Sequence, residues 1–167
     1  GSVIFSKYPL AKVSEDSGFG KENTYGVMVE VDAGEKGKFH LANVHLLSYM
    51  INDDEIDVLT NTTERPANLD TIGKTVLHKL SYAFQHRSEE LKTVLEGMPP
   101  VGGAILICGD FNEPPLSYNY RQMQKAGYVD TFTKVGCGIK PTYAGKLTLL
   151  RIDYIWANEG VKPLDFE

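Results

Sequence analysis

Cysteine is scarce here, with Cys108 and Cys137 the two thiols in 167 residues. No C-x-x-C spacing surrounds them, so they suggest neither a zinc site nor a disulfide framework. Cys108 sits in the apolar run Ala-Ile-Leu-Ile-Cys and reads as a small buried hydrophobe, whereas Cys137 sits in a Gly-Cys-Gly loop. No apolar run approaches the roughly 20 residues needed to cross a bilayer. No secretory signal opens the segment, because Val3 to Leu10 is too short and carries Lys7. A basic excess is missing as well: 17 Lys and Arg against 22 Asp and Glu leave a net charge of −5. A protein that holds nucleic acid mainly by neutralising phosphates is usually basic, so long duplex substrates are disfavoured while nucleases as a class are not excluded. Repeats and low-complexity tracts are absent, which removes solenoids and disordered linkers. An initiator Met is lacking too, and the expectation is a piece of a longer chain with a possible cloning scar at Gly1-Ser2.

What is present is a one-domain length with a globular composition, 42% hydrophobic and 23% charged. Val3-Ile4-Phe5 reads as a short strand stopped by Tyr8-Pro9, followed by a polar loop over 11–24. Tyr25, Val27, Val29 and Val31 alternate with other residues at the period of a strand. Gly34 to Gly37 makes a turn, and 38–46 returns as the second strand of a hairpin. On that strand Phe39, Leu41, Asn43 and His45 share one face, and Ala42, Val44 and Leu46 share the other; both faces read as buried. Residues 48–70 read as an acidic, irregular loop. From 71 to 98 the apolar spacing is helical, with Ile72, Val76, Leu80, Phe84, Leu91, Leu95 and Met98 on one stripe, ended by Pro99-Pro100. Arg87 lies on the same stripe. It either faces a carboxylate or phosphate partner or snorkels to the surface. Ala104 to Cys108 is a strand buried on both faces, Ser117 caps a short helix to about Ala126, and Arg151 to Trp156 is the last strand. The hairpin makes the sheet of this α/β domain mixed or antiparallel.

Three polar sets fall at ends of apolar strands: Asn43 with His45, Asp110 with Asn112, and Asp153. Residues two apart on a strand point the same way. If the Asp153 strand runs antiparallel to the other two, all five groups gather at one sheet edge. A carboxylate, an amide and an imidazole together suit metal-assisted attack on a phosphate ester. Each residue also has a plainer reading: His45 as a hydrogen-bonded core or rim histidine, Asp110 as a turn residue, and Asp153, after Arg151, as half of a structural ion pair.

Gly-Asp-Phe-Asn-Glu-Pro-Pro after the buried strand, Asn-Val-His-Leu, Arg-Ile-Asp-Tyr-Ile-Trp and the opening Gly-Ser-Val-Ile-Phe-Ser-Lys-Tyr-Pro-Leu resemble, in order, the endonuclease/exonuclease/phosphatase superfamily with its deoxyribonuclease I-like fold. The helix with Arg87 and the stretches 114–123 and 141–156 resemble a bacterial subgroup common in Bacteroidetes. The resemblance implies part of a four-layer α/β/β/α sandwich with mixed, mostly antiparallel sheets. It implies a metal-dependent phosphoester hydrolase in the parent protein, with a non-catalytic binding or regulatory domain on the same fold as the alternative. Asp110 would position or activate water and, with Asn112, bind Mg2+ or Mn2+. Asn112 would also stabilise phosphoryl charge, His45 would be a general acid, and Asp153 the carboxylate that orients a second histidine. Asn43, Arg87, Tyr118, Asn119, Thr142 and Tyr143 would lie on the substrate side. The substrate would be a phosphate ester of nucleic acid, an inositol phosphate or a lipid headgroup.

Residues 1–167 lack that family's early Asn, its Gln-Glu motif and its closing Ser-Asp-His motif. The expectation is therefore an incomplete domain, inactive alone and a weak binder of metal. Its strand at 3–6 and hairpin at 25–46 would be edges open to self-association. Related chains imply a parent tethered to a membrane from upstream, and the compartment stays open.

Overall fold

A computed structural model of the chain describes residues 2–13, 18–21, 25–60, 69–100, 102–138, 140–144 and 149–165. The alternating Val-rich segment forms β3 (Gly26–Asp32), which pairs antiparallel with β4 (Lys38–His45) through a 3-10 turn at Gly34–Lys36. Its registers run from Asp32 opposite Lys38 to Gly26 opposite Val44. β4 then lies parallel to β5 (Ala104–Asp110), and β5 lies antiparallel to β7 (Asp153–Ala157). Short strands close the sheet: β1 (Leu10–Lys12) and β2 (Gly18–Phe19) pair with β3, and β6 (Val129–Asp130) pairs with β7. The order along the sheet is β1-β3-β4-β5-β7-β6, a mixed and mostly antiparallel α/β arrangement. Parallel β4 and β5 need a long crossover, which the helical stretch between them supplies.

That crossover holds α1 (Asp53–Thr60) and α2 (Leu69–Glu96), and α3 (Tyr118–Lys125) and α4 (Phe132–Val135) follow β5. Leu91 and Val94 of α2, with Tyr120 and Met123 of α3, pack on Met28, Ala42, Val44, Ile105, Ile107, Tyr154 and Trp156 of the sheet. This alternate set of strand residues faces the helices and forms the core. Gly109 belongs to that face, with φ +134°, and a Cβ there would run into the carbonyl of Val44. Only glycine lets β5 come this close to β4. The other face carries Val27, Val29, Phe39, Leu41, Leu106 and Cys108, all half-buried, and Ile155, which is 41% exposed. It is less covered than the strand pattern predicts.

Three expectations are corrected. Val3-Ile4-Phe5 is not a strand; the edge strand is β1, and the Val3 carbonyl instead accepts from the Asn43 side chain at 3.0 Å. The β3–β4 hairpin is not an edge, because β1 and β2 flank β3 and β5 flanks β4. The acidic stretch after 48 is not wholly irregular. Asn52 accepts the Glu55 N–H at 2.8 Å while Glu55 accepts the Asn52 N–H at 3.0 Å, a reciprocal capping box that starts α1. Glu55 also pairs with Lys79 at 2.7 Å and so binds α1 to α2. The remainder of that expected loop at 61–68, and residues 145–148, lie outside the described residues. Among the described residues no helix is long and apolar enough to cross a membrane.

Candidate active site

The parallel register sets His45 opposite Asp110, and the antiparallel register sets Asp110 opposite Asp153. Three adjacent strands therefore present an imidazole and two carboxylates in one transverse row. The preceding row, Val44, Gly109 and Tyr154, faces the core, so this row points away from the helices. The antiparallel condition on the Asp153 strand is met, and Asn43 lies two residues back from His45 on the same face. His45 is exposed, and Asp110 and Asp153 are half-buried. Burial pushes the Asp110 carboxyl above its ordinary range, the Asn112 N–H opposes the shift, and the Asp153 carboxylate adds to it.

Asn112 follows at a left-handed φ of 50°, a conformation that Asn tolerates better than most residues. Its N–H donates to Asp110 Oδ1 at 2.8 Å, and its side-chain Nδ2 donates to the Leu46 carbonyl at 2.9 Å. Leu46 N–H in turn donates to the Asp110 carbonyl at 2.9 Å, so the ends of β4 and β5 are laced together past the ladder. Thr142 Oγ1 accepts the N–H groups of Ile152 and Asp153, each at 3.0 Å, and so fixes the entry into β7. Tyr143, Asn112, Tyr49 and Phe84 help line a cavity of about 240 Å³ beside the row.

Two residues expected on the substrate side are buried. Arg87 is completely buried, its Nε donating to Glu113 Oε1 at 2.8 Å and its Nη1 to the Leu47 carbonyl at 3.0 Å. Asn119, 3% exposed, donates to the same Glu113 oxygen at 3.2 Å and accepts from Ser88. Both are supports beneath the site, since a guanidinium on a core-facing stripe finds the nearest buried carboxylate. Tyr118 is 61% exposed and lines a separate, open hollow of about 1090 Å³ with Phe84 and Leu116. Asn43 is held by Val3. Asp153 is not the partner of Arg151, which forms a two-pronged pair with Asp130 at 2.6 and 3.1 Å.

Sequence reasoning passed over Glu113 and Glu90. Glu113, 2% exposed, joins Arg87 and Asn119, and its carbonyl accepts from the Tyr154 hydroxyl at 2.7 Å. Its position directly after Gly-Asp-Phe-Asn, with an arginine on an apolar helical stripe, was the available signal. Glu90 accepts the Leu47 N–H at 2.7 Å, and burial pushes its carboxyl up.

Among the described residues no group of three or more His, Cys, Asp or Glu could hold a metal ion. Asp110 and Asp153 supply a carboxylate pair, and the Asn112 side-chain nitrogen is committed to Leu46. The expected pair Asp110 and Asn112 offers one carboxylate and, through Asn112 Oδ1, one amide oxygen, so among the described residues the donors are fewer than a divalent ion usually takes.

A family model described as the endonuclease/exonuclease/phosphatase family matches residues 1–167. No curated protein matches. Among solved structures, a hairpin-deletion mutant of beta toxin from Staphylococcus aureus is 16% identical with a TM-score of 0.54, covering 96% of this chain and 55% of the toxin. A second mutant of that toxin, solved with bound magnesium ions, is 16% identical at a TM-score of 0.52, over 94% of this chain and 52% of the toxin. An endonuclease/exonuclease/phosphatase from Beutenbergia cavernae is 18% identical at 0.47, over 80% of this chain and 32% of its own length. The chain thus spans from 32% to 55% of the length of these structures. The two toxin likenesses show the shared fold.

Proposed function

The chain belongs to the endonuclease/exonuclease/phosphatase family, and from that premise we propose that the row of His45, Asp110 and Asp153 is part of a phosphoester-hydrolysing site. The observation that supports this most is the register itself, which brings one imidazole and two carboxylates to neighbouring positions on three strands. In this reading a water molecule held by the Asp110 carboxylate attacks phosphorus, forming one P–O bond as the bond to the leaving oxygen breaks. Asp110 takes the proton of the water, and His45 delivers a proton to the leaving oxygen. Asn112, fixed by Leu46 and Asp110, is at hand to face the phosphoryl oxygens. Asp153 sets the charge beside Asp110. A divalent ion such as Mg2+ enters only as a ligand that the described residues do not hold alone. The acidic net charge favours a small phosphate ester over duplex DNA.

The test uses isotope-labelled chain and inorganic phosphate. The expected result is that the amides of His45, Asp110, Asn112 and Asp153 shift together on titration and that His45→Ala, which removes the imidazole donor of the row, abolishes the response. Shifts confined to other surfaces, or none, overturn the reading. Turnover of a generic phosphodiester by residues 1–167 is expected to be slight, because residues that act as a unit lose nearly all activity when members are missing.

The second reading, a non-catalytic binding domain on the same fold, is favoured by the want of a metal-holding cluster among the described residues. Phosphate binding at the row, with no hydrolysis by any longer form of the protein that includes it, would select this reading.

A further inference from the structure

Helix α2 crosses the molecule behind the row, and two of its side chains reach the same peptide neighbour. Arg87 Nη1 donates to the Leu47 carbonyl at 3.0 Å, and Glu90 Oε2 accepts the Leu47 N–H at 2.7 Å. Three residues apart, they lie on one face of the helix. Leu47 stands just past the end of β4, two residues from His45, where the parallel ladder no longer holds the chain. Arg87 is in turn gripped by Glu113, which directly follows Asn112. Its guanidinium lies 3.9 Å from the ring centroid of Tyr49, two residues beyond Leu47. A fully buried arginine with one partner on each of two loops is a rigid strut, because its planar fork has few ways to rearrange.

We propose that Arg87 and Glu90 are positioning residues. They clamp both backbone polar groups of Leu47 and, through Glu113, set the strand end bearing His45 against the loop bearing Asn112. Its functional consequence rests on the phosphoester reading above; the clamp itself does not. Asn112 already pins Leu46 from the other side through its bond to that carbonyl. Two successive residues after His45 are therefore held by opposite elements, Leu46 by the β5 loop and Leu47 by α2. Neither Arg87 nor Glu90 hydrogen-bonds a side chain of the row. Their charges reach Asp110 and His45 through space. The clamp adds a route through the backbone, which Glu90→Gln separates because it removes the charge and keeps the bond.

The experiment compares wild-type chain with Glu90→Ala, Glu90→Gln and Arg87→Lys by nuclear magnetic resonance. It reads the Leu47 amide exchange rate, the His45 ring resonances, and the response of His45 to inorganic phosphate. Glu90→Ala is expected to speed Leu47 exchange by about tenfold, the scale of one lost charge-assisted bond. Amides in β5 should be unchanged, the His45 ring resonances should move, and the phosphate response should weaken. Glu90→Gln keeps an acceptor and is expected to restore all three. Arg87→Lys keeps the charge but cannot bond Glu113 and Leu47 in the same geometry, and is expected to move His45 as Glu90→Ala does.

The clamp is overturned if Leu47 exchange is unchanged in Glu90→Ala. It is equally overturned if exchange rises while His45 stays where it was, because the contact is then structural only. Should wild-type His45 ignore phosphate, the phosphoester reading falls, and Leu47 exchange and the His45 ring still decide the clamp.

Discussion

A fully buried and a half-buried arginine, Arg87 and Arg151, meet carboxylates in this domain, and they do so differently. Arg151 faces Asp130 as a two-pronged fork, and the same carboxylate also accepts from Tyr120 at 2.9 Å and from the Phe132 N–H at 3.2 Å. Arg87 makes a single contact to Glu113, and among the described residues both Arg87 Nη2 and Glu113 Oε2 are buried without a hydrogen-bond partner. The first pair is saturated within its own corner of β6, α4 and β7. The second leaves part of its capacity unused because Arg87 also reaches across to the Leu47 backbone. A saturated pair serves the fold locally; one divided between two loops serves their relative placement, at some cost in unsatisfied polar atoms.

Breaking the saturated pair gives the largest expected effect. Asp130→Ala strands Arg151 and removes the acceptor of Tyr120, so a loss of about 3–5 kcal/mol is expected in urea unfolding. Arg87→Met is expected to lose less, about 3 kcal/mol, because that pair is bound through one contact. It alone should disturb the phosphate response of His45. A loss equal to that of Asp130→Ala, with His45 unmoved, would erase the distinction between the two arginines.

A smaller effect is tied to pH. Burial, followed by its bond to Asp130, pushes the Tyr120 phenol up to about 12 from an ordinary 10. The folded form therefore keeps a proton that the unfolded form gives up. This contribution to stability is whole below about pH 10 and drains away as pH rises toward 12. Thermal melts across that window are expected to fall for wild type and to be flatter for Tyr120→Phe, which itself costs about 1 kcal/mol at neutral pH. A wild-type melting temperature that stays level through the window would contradict this. Smallest of all, Glu90→Gln is expected to change global stability by no more than about 0.5 kcal/mol, because it preserves the bond to Leu47. Finally, a calorimetric titration with Mg2+ is expected to show no saturation below about 1 mM; a tighter isotherm would mean that Asp110 and Asp153 hold an ion unaided.

Much of the frame was legible in the letters. The Val-rich alternation of β3, the continuous apolar run of β5, the part of the α2 stripe at Val76 and Leu91 (Phe84 is 46% exposed, and the buried Ala83 and Val94 lie off the expected stripe) and the Ser117 cap, which accepts the Tyr120 N–H at 3.1 Å, are local signals with local causes. The row could be anticipated because residues two apart and strand ends obey geometry once β7 is antiparallel. What escaped was decided by tertiary contact. The N-terminal Val3 to Phe5 is apolar and β-prone, yet the chain pairs at Leu10 to Lys12 instead. The capping box of α1 hid in an acidic stretch with little apolar period. The work of Arg87 and Asn119 depends on Glu113, which is 26 residues from one and 6 from the other.

The row across β4, β5 and β7 has a consequence for how such a site can change. Its lateral spacing is the pitch of the sheet, about 4.8 Å between strands, and no side-chain replacement alters that. Slipping a strand by one residue would turn its contribution to the opposite face and abolish the arrangement altogether. New preferences are therefore more readily acquired in the segments that adjoin the strand ends of the row, such as 48–52 and 140–144, while the strands beneath stay fixed like the frets of an instrument.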